Sequence, residues 1–340
     1  MKLGCTSFSW ETKDNKHLLG RTYDQFGNLD ANKIVVIPKN YTIKLENNTE
    51  STAVCNAKYS LIGMGVMGAE TPIMVDALND SGLMGALLYY PEFAKYDTQL
   101  TEKSININPG FFVTYILSQF STVGEIILKI KDINLTNEDM FGEKIPVHYI
   151  FSDRSGETII IEPDKNGINI HRNSIGVLSN SPDYAWQKNN LRNYMGITNE
   201  PRKSQNIVNF EISEFGEGSG ALGLPGDYTP VSRFIRIAFL KQFSVKGNDE
   251  IDGVTKMFNN FASVTIPEGI IKAVGHEYYE KTLCLTSMCS ESLMYYFVLS
   301  TNRRIQAVDL NLEKDNLELK LFDLIEEEDI SVINKASIDK

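Results

Sequence analysis

The sequence predicts an α+β fold in which two sheets, built from antiparallel hairpins, pack face to face with helices outside. Strand-like segments fill the beginning of the chain, helical segments follow in its middle, and strand-like segments return at the end. Many of these strands are short apolar runs between turn residues, which is typical of strands buried on both faces. Elements in this order are expected to form separate layers around a shared core.

The N-terminal quarter of the chain is predicted to form strands. Its apolar runs alternate with turn signals and lie at residues 33–38, 59–65 and 83–90, with a strong turn at residues 79–82. From about residue 110 the apolar spacing becomes helical as far as residue 130. Ser121-Thr122 interrupts this stretch and predicts a break with a helix cap.

The rest of the chain returns to strands, passes through helices and ends in strands. A hairpin is predicted at residues 147–152 and 157–162, joined by the turn 153–156 and followed by a second turn at 164–167. Helices are predicted near residues 183–194, 229–243 and 250–261. The last strands are predicted near residues 281–288, 293–299, 305–310 and 317–322, before a solvated acidic tail that begins at Glu326.

Length and charge restrict the possible classes of protein. The chain has 340 residues, of which 42% are hydrophobic, enough for a large core, and no linker divides it. It carries 33 basic and 44 acidic side chains, a net charge of −11. This excess of acidic groups argues against nucleic acid and against an anionic membrane surface as partners. A small-molecule substrate remains compatible, because a pocket can be locally basic.

The chain has no apolar run long enough to span a membrane, and residues 1–4 are too short for a secretory signal. Its four cysteines form no C-x-x-C pair. Cys55, Cys284 and Cys289 are expected to be small buried hydrophobes. The cysteines predict a protein that is cytoplasmic or indifferent to the redox compartment, and the scattered histidines have no metal-ligand spacing.

Cys5 is the strongest candidate for a catalytic residue. It follows the leader Met1-Lys2-Leu3-Gly4 and precedes an apparent strand. A cut between Gly4 and Cys5 would place a thiol and a free α-amino group on one residue, and that amine titrates near 7.7–8.0, so it can serve as the base. We therefore predict a leader at residues 1–4, removed by self-cleavage, and a single domain at residues 5–340.

Three further segments supply groups that such a site requires. Arg21 and Asp24 provide a cation and a carboxylate close to the nucleophile in sequence. Asn180 lies at a strand-to-helix junction, where its amide can donate to an oxyanion. Arg233 opens an otherwise apolar helix, one turn before Arg236.

Each of these residues also has an ordinary structural interpretation. Cys5 could be a small hydrophobe in the first strand, and Arg233 could form a structural ion pair. The glycine-rich residues 215–227 lack the lysine of a phosphate loop and indicate a strained loop close to an active site. A cysteine–histidine dyad stays open because dyads are spatial, although His148, inside a strand, is better explained as a hydrogen-bonded core residue.

Taken together, the motifs resemble the choloylglycine hydrolase family, which comprises penicillin V acylases and conjugated bile salt hydrolases and belongs to the N-terminal nucleophile hydrolases. The resemblance extends from about Cys5 to Phe322. It depends on ordered motifs, namely Cys5-Thr6-Ser7, Arg21-Thr22-x-Asp24, Asn79-x-x-Gly82-Leu83, Ser179-Asn180-Ser181-Pro182, Asn190-Leu191-Arg192-Asn193-Tyr194, Gly223-Leu224-Pro225-Gly226-Asp227 and Ser232-Arg233-Phe234.

The resemblance implies a four-layer αββα sandwich of two antiparallel sheets, the N-terminal nucleophile hydrolase fold. It implies that Cys5 becomes the nucleophile after self-removal of the leader, with Arg21 and Asp24 flanking it. Asn180 matches the oxyanion-hole asparagine, Arg233 the active-site arginine, and the backbone N–H of Tyr89 the second oxyanion donor. No cofactor is implied, and homotetramers are common in the family. Arg21 and Arg233 are expected to lower the pKa of the Cys5 thiol.

Two markers favour the penicillin V acylase branch. Tyr89 stands where many bile salt hydrolases carry asparagine, and the leader is longer than the single Met of typical bile salt hydrolases. We therefore expect cleavage of phenoxymethylpenicillin-type amides through an acyl-thioester, with a bile salt hydrolase as the alternative and a non-catalytic binding protein as an alternative of another class. A histidine-assisted cysteine protease is a weaker option. The apolar acyl pocket is expected to contain Tyr23, Phe26, Met64, Met67 and Tyr90.

Overall fold

The structure is a computed structural model that describes residues 4–45, 53–68, 70–139, 142–272, 274–275 and 277–334. Its N-terminal elements are mostly strands, and two short helices follow them. They are β1 (Cys5–Glu11), β2 (His17–Gln25), β3 (Asn32–Ile37), β4 (Thr42–Leu45), β5 (Ala53–Asn56), β6 (Leu61–Met67), β7 (Pro72–Asn79), β8 (Met84–Tyr89), β9 (Ile105–Ile107), α1 (Phe112–Gln119), α2 (Val123–Lys129) and β10 (Ile133–Leu135).

The C-terminal elements contain the longer helices and the longest strand. They are β11 (Val147–Ser152), β12 (Thr158–Asp164), β13 (Gly167–His171), β14 (Val177–Leu178), α3 (Tyr184–Asn190), β15 (Gln205–Ile207), β16 (Phe210–Ile212), α4 (Pro230–Phe243), α5 (Glu250–Phe261), β17 (Ile271–Lys272), β18 (Tyr279–Cys289), β19 (Met294–Leu299), β20 (Gln306–Asp309), α6 (Leu310–Glu313) and β21 (Lys320–Phe322). The helices and most of the predicted strands lie where the sequence predicts them, within a few residues, whereas the long strands β2 and β7 were not predicted.

Two large antiparallel sheets form the centre of the molecule. The first sheet has seven strands, in the order β14-β1-β2-β18-β19-β20 with β17 paired to β18. The second has eight strands, in the order β13-β12-β11-β8-β7-β6-β3-β21. Strand β1 lies near one edge of the first sheet, and β8 lies in the middle of the second. The two strands are in contact, so the start of the chain lies over β8.

Side chains alternate between two cores along each central strand. On β3, Ile34 and Val36 enter the core between the two sheets, whereas Val35 and Ile37 face the core beneath α1. Helices α4 and α5 cover the other face of the first sheet, where Phe261 packs 4.7 Å from the ring of Phe8. The result is the predicted αββα order of layers.

Local hydrogen bonds explain where the helices begin. Thr122 caps α2 by accepting from the N–H of Glu125, as the predicted break requires. Thr229 caps α4, and Pro230 occupies its first turn, where a missing N–H costs nothing. This start fixes the direction in which Arg233 leaves the helix.

Two further sequence predictions concern membrane spans and cysteines. No single helix in the described ranges is long and apolar enough to cross a membrane; one helix pair, Pro109–Gln119 with Val123–Asp132, meets the length and composition criteria together but is bent by 120°. All four cysteines are free, and Cys284 and Cys289 are buried as predicted. Cys55 is only partly buried, because it lies on the short β4–β5 hairpin rather than in a large sheet.

Candidate active site

Cys5 is the first residue of β1, opposite Tyr23 of β2. Its thiol is buried, with 4% of the residue exposed. Arg21 lies diagonally across the strand pair, and its Nη2 donates to Cys5 Sγ at 2.6 Å. The backbone N–H of Asp24 also hydrogen-bonds the sulfur. Sulfur, guanidinium and amide therefore meet at the end of one hairpin.

Arg21 projects from the first sheet into the layer between the sheets. Its Nη1 donates to the carbonyls of Leu87, at 2.7 Å, and Val75, at 3.0 Å, both in the second sheet. The carboxylate within ion-pair distance is that of Asp76, whose Oδ2 lies 3.9 Å from Arg21 Nε. Sequence reasoning missed Asp76, although a lone acid within the apolar strand β7 was a usable signal.

Asp76 is held by hydroxyl groups from the first sheet. The Tyr295 hydroxyl donates to Oδ1 at 2.5 Å, and Thr286 Oγ1 donates to Oδ2 at 2.9 Å. Burial raises the pKa of this carboxyl, and Arg21 and the two hydroxyls oppose that shift. Asp76 thus pairs with Arg21 at Nε, while Nη2 donates to the thiol.

Arg233 approaches Cys5 from the helical layer. Its Nη1 donates to the Cys5 carbonyl at 2.6 Å, and its Nη2 donates to Asn180 Oδ1 at 2.7 Å. Asp24 is its carboxylate partner, with Oδ2 3.8 Å from Nη1, and Thr282 Oγ1 donates to Asp24 Oδ1 at 2.6 Å. The Asp24 carboxylate therefore pairs with Arg233 rather than with its sequence neighbour Arg21.

The Asn180 side chain has one orientation that satisfies its neighbours. Its Oδ1 accepts from the Cys5 N–H at 2.8 Å as well as from Arg233, which can only donate. Its Nδ2 donates to the Tyr89 carbonyl at 2.7 Å. The amide thus joins the Cys5 backbone nitrogen to the strand end at Tyr89.

Arg21 and Arg233 act on the pKa of the Cys5 thiol in the expected direction, but in the chain that carries Gly4 the pKa is raised overall. Burial raises this pKa, and the Asp24 carboxylate adds to the rise. Arg21 and, more weakly, Arg233 act in the opposite direction but do not outweigh burial. In this covered state the thiol is mostly protonated near neutral pH.

A cavity of about 440 Å³ opens beside the thiol. Cys5, Arg21, Tyr23, Asp24 and Tyr89 line it on the catalytic side. The remaining apolar wall comes from alternate residues of neighbouring strands and a nearby loop, namely Val66, Ile73, Val75, Leu87, Ile145 and Val147. A pocket with this wall suits an apolar acyl group next to the sulfur.

Only one of the five predicted pocket residues, Tyr23, lines this cavity. Met64 is fully buried against Cys284 Sγ, at 3.6 Å, in the core between the two sheets. Tyr90 follows Tyr89 and turns away to stack on His148. Phe26 and Met67 also lie outside the cavity wall. Strand alternation accounts for Met67, because its neighbour Val66 lines the cavity; nothing in the structure explains Phe26.

A second cavity, of about 260 Å³, lies on the leader side of Cys5. Gly4, Asn180, Arg233 and Glu280 contribute to its wall. The Gly4 N–H hydrogen-bonds the Glu280 carboxylate, whose pKa is raised by burial and by Asp24. Glu280 was not predicted, because only the folded chain brings β18 against residue 4.

The other residues that the sequence pointed to have structural roles. Arg236 Nη1 donates to the carbonyls of Pro225 and Asp227, at 2.7 and 2.6 Å, and so holds the glycine-rich loop against α4. Gly223 in that loop has a φ of 101°, which favours glycine. His148 is buried and hydrogen-bonded. His276 lies outside the described residues, and the described part of the chain contains no cluster of three or more residues suited to bind a metal.

The αββα sandwich, with Cys5 at the start of β1, has the fold of the N-terminal nucleophile hydrolases. A comparison with known protein families agrees with this class. Residues 5–326 match the model of the linear amide C–N hydrolases, choloylglycine hydrolase family. The chain belongs to this family and is a linear amide hydrolase that acts on a small-molecule amide.

Curated relatives and solved structures of the family align over almost the whole chain. A bile salt hydrolase/transferase of Clostridium perfringens is 32% identical over 94% of this chain and 96% of its own length. One from Lactiplantibacillus plantarum is 31% identical over 97% of this chain and 100% of its own. A mutant conjugated bile acid hydrolase from Clostridium perfringens superposes with a TM-score of 0.89 at 30% identity, covering 97% of this chain and 100% of that one.

A penicillin V acylase from Agrobacterium tumefaciens shares the fold, with a TM-score of 0.72 at 19% identity, covering 93% of this chain and 90% of that one. These findings support the bile salt alternative better than the penicillin V acylase reading that the leader and Tyr89 favoured.

Proposed function

We propose that the chain is a self-processing cysteine amidohydrolase that hydrolyses conjugated bile salts. The observation that carries the chemistry is the pair of contacts made by Cys5, from Arg21 Nη2 to its sulfur at 2.6 Å and from its own nitrogen to Asn180 at 2.8 Å. The substrate assignment is supported by the relatives named bile salt hydrolase, which align over nearly the full chain at 31–32% identity.

Penicillin V acylase activity is the second candidate, favoured by Tyr89. A penicillin V acylase of Pectobacterium atrosepticum is 26% identical over 69% of this chain. Tyr89 lines the cavity beside the thiol, where its aromatic ring could face a phenoxyacetyl group. One acyl pocket can serve both substrates, so the ranking is a matter of relative rate.

Maturation is the first reaction in this proposal. The Cys5 sulfur attacks the Gly4 carbonyl carbon, a C–S bond forms, and the Gly4–Cys5 C–N bond breaks. The nitrogen takes the thiol proton and becomes the free α-amine. Water then hydrolyses the thioester, which releases residues 1–4 as a carboxylic acid and restores the thiol.

Substrate hydrolysis repeats this chemistry on an external amide. The α-amine of Cys5 accepts the thiol proton and passes it to the leaving amine while the acyl group moves to sulfur. Asn180 and the backbone N–H of Tyr89 are proposed to hold the tetrahedral oxyanion, a donor pair of the kind in which each member contributes about 2.7–4 kcal/mol. Water then releases the acid. Arg21 stabilises the thiolate, and the Asp24–Arg233 pair orients Cys5.

A direct comparison of substrates tests the assignment. Purified protein is given choloyl and phenoxyacetyl amides at matched concentrations, and kcat/KM is measured for each. We expect the choloyl amide to be cleaved faster. Faster cleavage of the phenoxyacetyl amide would reverse the ranking, and cleavage of neither would refute both candidates and favour the non-catalytic alternative.

The nucleophile is tested independently by Cys5→Ser and by intact mass. We expect the wild type to lack residues 1–4 and the variant to retain them and to lose turnover. Cys284→Ser is the matched control, because that thiol is equally buried but lies outside the cavity beside Cys5. A wild-type protein that keeps its leader yet hydrolyses amides at full rate would exclude the scheme.

We propose that the protein works without a cofactor, in the cytoplasm, as a homotetramer, and that the β15–β16 hairpin contributes to assembly. Ile207, Val208 and Phe210 of this hairpin are all exposed. Apolar groups clustered on a protruding hairpin are typical of a surface that another copy covers.

A further inference from the structure

His148 lies behind both backbone segments that are proposed to bind the oxyanion. Its Nε2 faces the carbonyl oxygen of Ser179 at 2.7 Å, one residue before Asn180. Its ring stacks on Tyr90, with centroids 4.2 Å apart and planes 9° apart, one residue after Tyr89. A single side chain therefore touches the neighbours of both proposed donors.

The partners of His148 determine its protonation. A carbonyl oxygen can only accept a hydrogen bond, so Nε2 must carry a proton. The other ring nitrogen, Nδ1, lies 3.1 Å from Glu162 Oε1. Against the effect of burial, hydrogen bonds from His148 and His171 lower the pKa of Glu162 to about 2, so this carboxyl is ionised and only accepts. Nε2 therefore donates to the Ser179 carbonyl, and the His148 ring joins that carbonyl to the Glu162 carboxylate.

Glu162 also fixes the segment that follows Asn180. Both of its carboxylate oxygens accept from the backbone N–H of Tyr184, at 2.9 and 3.1 Å, where α3 begins. His171 Nε2 approaches Oε2 at 3.0 Å from β13. The carboxylate is therefore satisfied on each side and holds both the His148 ring and the start of α3.

Direct hydrogen bonds join the two segments in front of His148. Asn180 Nδ2 donates to the Tyr89 carbonyl at 2.7 Å, and Ser181 Oγ donates to the Pro91 carbonyl at 2.6 Å. The strand end at Tyr89 and the loop at Asn180 form one unit, with His148 as its support from behind.

We propose that the His148–Glu162 ion pair is a positioning unit for amide hydrolysis, which holds the Asn180 amide and the Tyr89 backbone at the spacing that an oxyanion requires. The inference rests on the donor roles given to Asn180 and Tyr89 in the proposed function. His148 touches neither sulfur nor substrate, so it acts through these two residues. A displacement of about 1 Å in such donors can reduce turnover up to about 100-fold.

A purely structural role for the pair makes a different prediction. Fully buried ion pairs can often be replaced by neutral groups of similar shape without loss of stability. His148 and Glu162 are 0% and 3% exposed, so the pair qualifies. If it only filled space, a neutral replacement of the same shape would leave turnover unchanged.

The test uses a double variant, His148→Phe with Glu162→Gln. Phenylalanine keeps the stack on Tyr90 but cannot donate to Ser179, and glutamine keeps an acceptor for the Tyr184 N–H. The single variant His148→Gln provides the conservative comparison, since its amide can donate to Ser179. Glu291→Gln is the matched control, because Glu291 Oε1 lies 2.7 Å from His17 Nδ1 in a second histidine–glutamate pair at the far end of β2.

All variants are made in a chain that begins with Met directly before Cys5, so that leader removal does not limit activity. For the double variant we expect kcat to fall about 10- to 100-fold, with KM and the rate of Cys5 alkylation by iodoacetamide within about twofold of wild type. The variant His148→Gln should recover part of the lost kcat, and Glu291→Gln should leave it unchanged. The melting temperature reports whether each variant is folded.

Three outcomes overturn the inference: an unchanged kcat in the double variant, a parallel loss of kcat and alkylation rate, or an equal loss in Glu291→Gln. If the double variant does not fold, the kcat, KM and alkylation rate of His148→Gln decide. A kcat of that variant within about twofold of wild type would then count against the inference. A wild-type chain that cleaves neither amide refutes the proposed function instead.

Discussion

Replacing Gly4 by alanine tests maturation without altering the mature enzyme. In the proposed maturation residue 4 leaves with the leader, so any molecule that is processed is identical to wild type. In the folded chain a Cβ atom at this position would lie 2.5 Å from Glu280 Oε1 and 3.3 Å from both Arg233 Nη2 and Asp24 Cβ. These neighbours are buried, and hydrogen bonds restrain Arg233 and Asp24, whereas the Glu280 carboxylate hydrogen-bonds Gly4 itself.

The size of the effect follows from the clash. A contact at 2.5 Å is incompatible with normal packing, so the added methyl must push residue 4 out of its slot or displace Glu280. Overpacking of this kind costs about 1–3 kcal/mol. Because attack requires the Gly4 carbonyl to lie in the slot beside the sulfur, the reactive population falls by the same free energy. Processing should therefore slow about 5- to 150-fold.

Intact mass measured over time after synthesis gives the processing rate directly. The second variant, Gly4→Ala with Glu280→Asp, shortens the clashing carboxylate while it keeps an acceptor near residue 4. We expect Gly4→Ala to accumulate the leader-bearing form and the double variant to recover part of the rate. Activity in each sample should be proportional to its processed fraction, and a chain that begins with Met before Cys5 supplies the fully mature reference.

Processing of Gly4→Ala at the wild-type rate, or faster, would refute the steric reasoning and leave the leader-removal scheme intact. A failure of Glu280→Asp to relieve the block would show that Glu280 is not the obstructing group. By contrast, a leader that persists in wild type would refute self-cleavage itself. The three results are distinguishable by mass alone.

Three other perturbations follow from the structure. Arg21→Gln removes the cation that lowers the pKa of the Cys5 thiol, so alkylation by iodoacetamide at pH 7 should slow at least about tenfold. The same substitution leaves the buried Asp76 carboxylate unpaired, so the free energy of unfolding measured in urea should fall by about 3–5 kcal/mol. Equal alkylation rates would contradict the electrostatic role. The pKa of Glu162 falls from 4.5 to about 2 on folding, so ionisation of this carboxyl stabilises the fold above pH 4.5 by up to about 3 kcal/mol. This stabilisation is lost as the pH falls through about 2. The difference in unfolding free energy between wild type and Glu162→Gln should shrink as the pH falls. A difference that does not change with pH would contradict the stabilising role of ionised Glu162. Phe210→Asp on the β15–β16 hairpin should lower the molar mass measured by light scattering, whereas an unchanged mass would exclude this hairpin from the interface.

The sequence predicted the layers because each layer leaves a local signal. The helix α5 was predicted at residues 250–261 and occupies Glu250–Phe261, since apolar spacing and the Asp249 cap agree there. The short paired strands, such as β9 with β10, were not predicted. Each has only three residues, and their pairing depends on contacts between segments that are distant in the sequence.

The candidate site was predictable to the extent that motifs carry it. Cys5, Arg21, Asp24, Asn180 and Arg233 were chosen from the sequence, and hydrogen bonds and ion pairs link all of them in the folded chain. Which carboxylate serves which arginine was not predictable. Strand pairing places Arg21 between the sheets with Asp76, whereas Asp24 lies with Arg233 beneath the helices.

The raised pKa of the buried Cys5 thiol changes what maturation must accomplish. Self-cleavage needs a single turnover, so a thiol that is mostly protonated but lies beside Arg21 suffices. Repeated hydrolysis needs a base for each cycle, and before cleavage the Cys5 nitrogen is an amide that donates to Asn180 and cannot accept a proton. In the proposed scheme, cleavage converts this nitrogen into an amine and opens the space that Gly4 occupied. The arginines alone do not activate the sulfur in the chain that carries Gly4, so we infer that the amine created by cleavage turns a one-time reaction into catalysis.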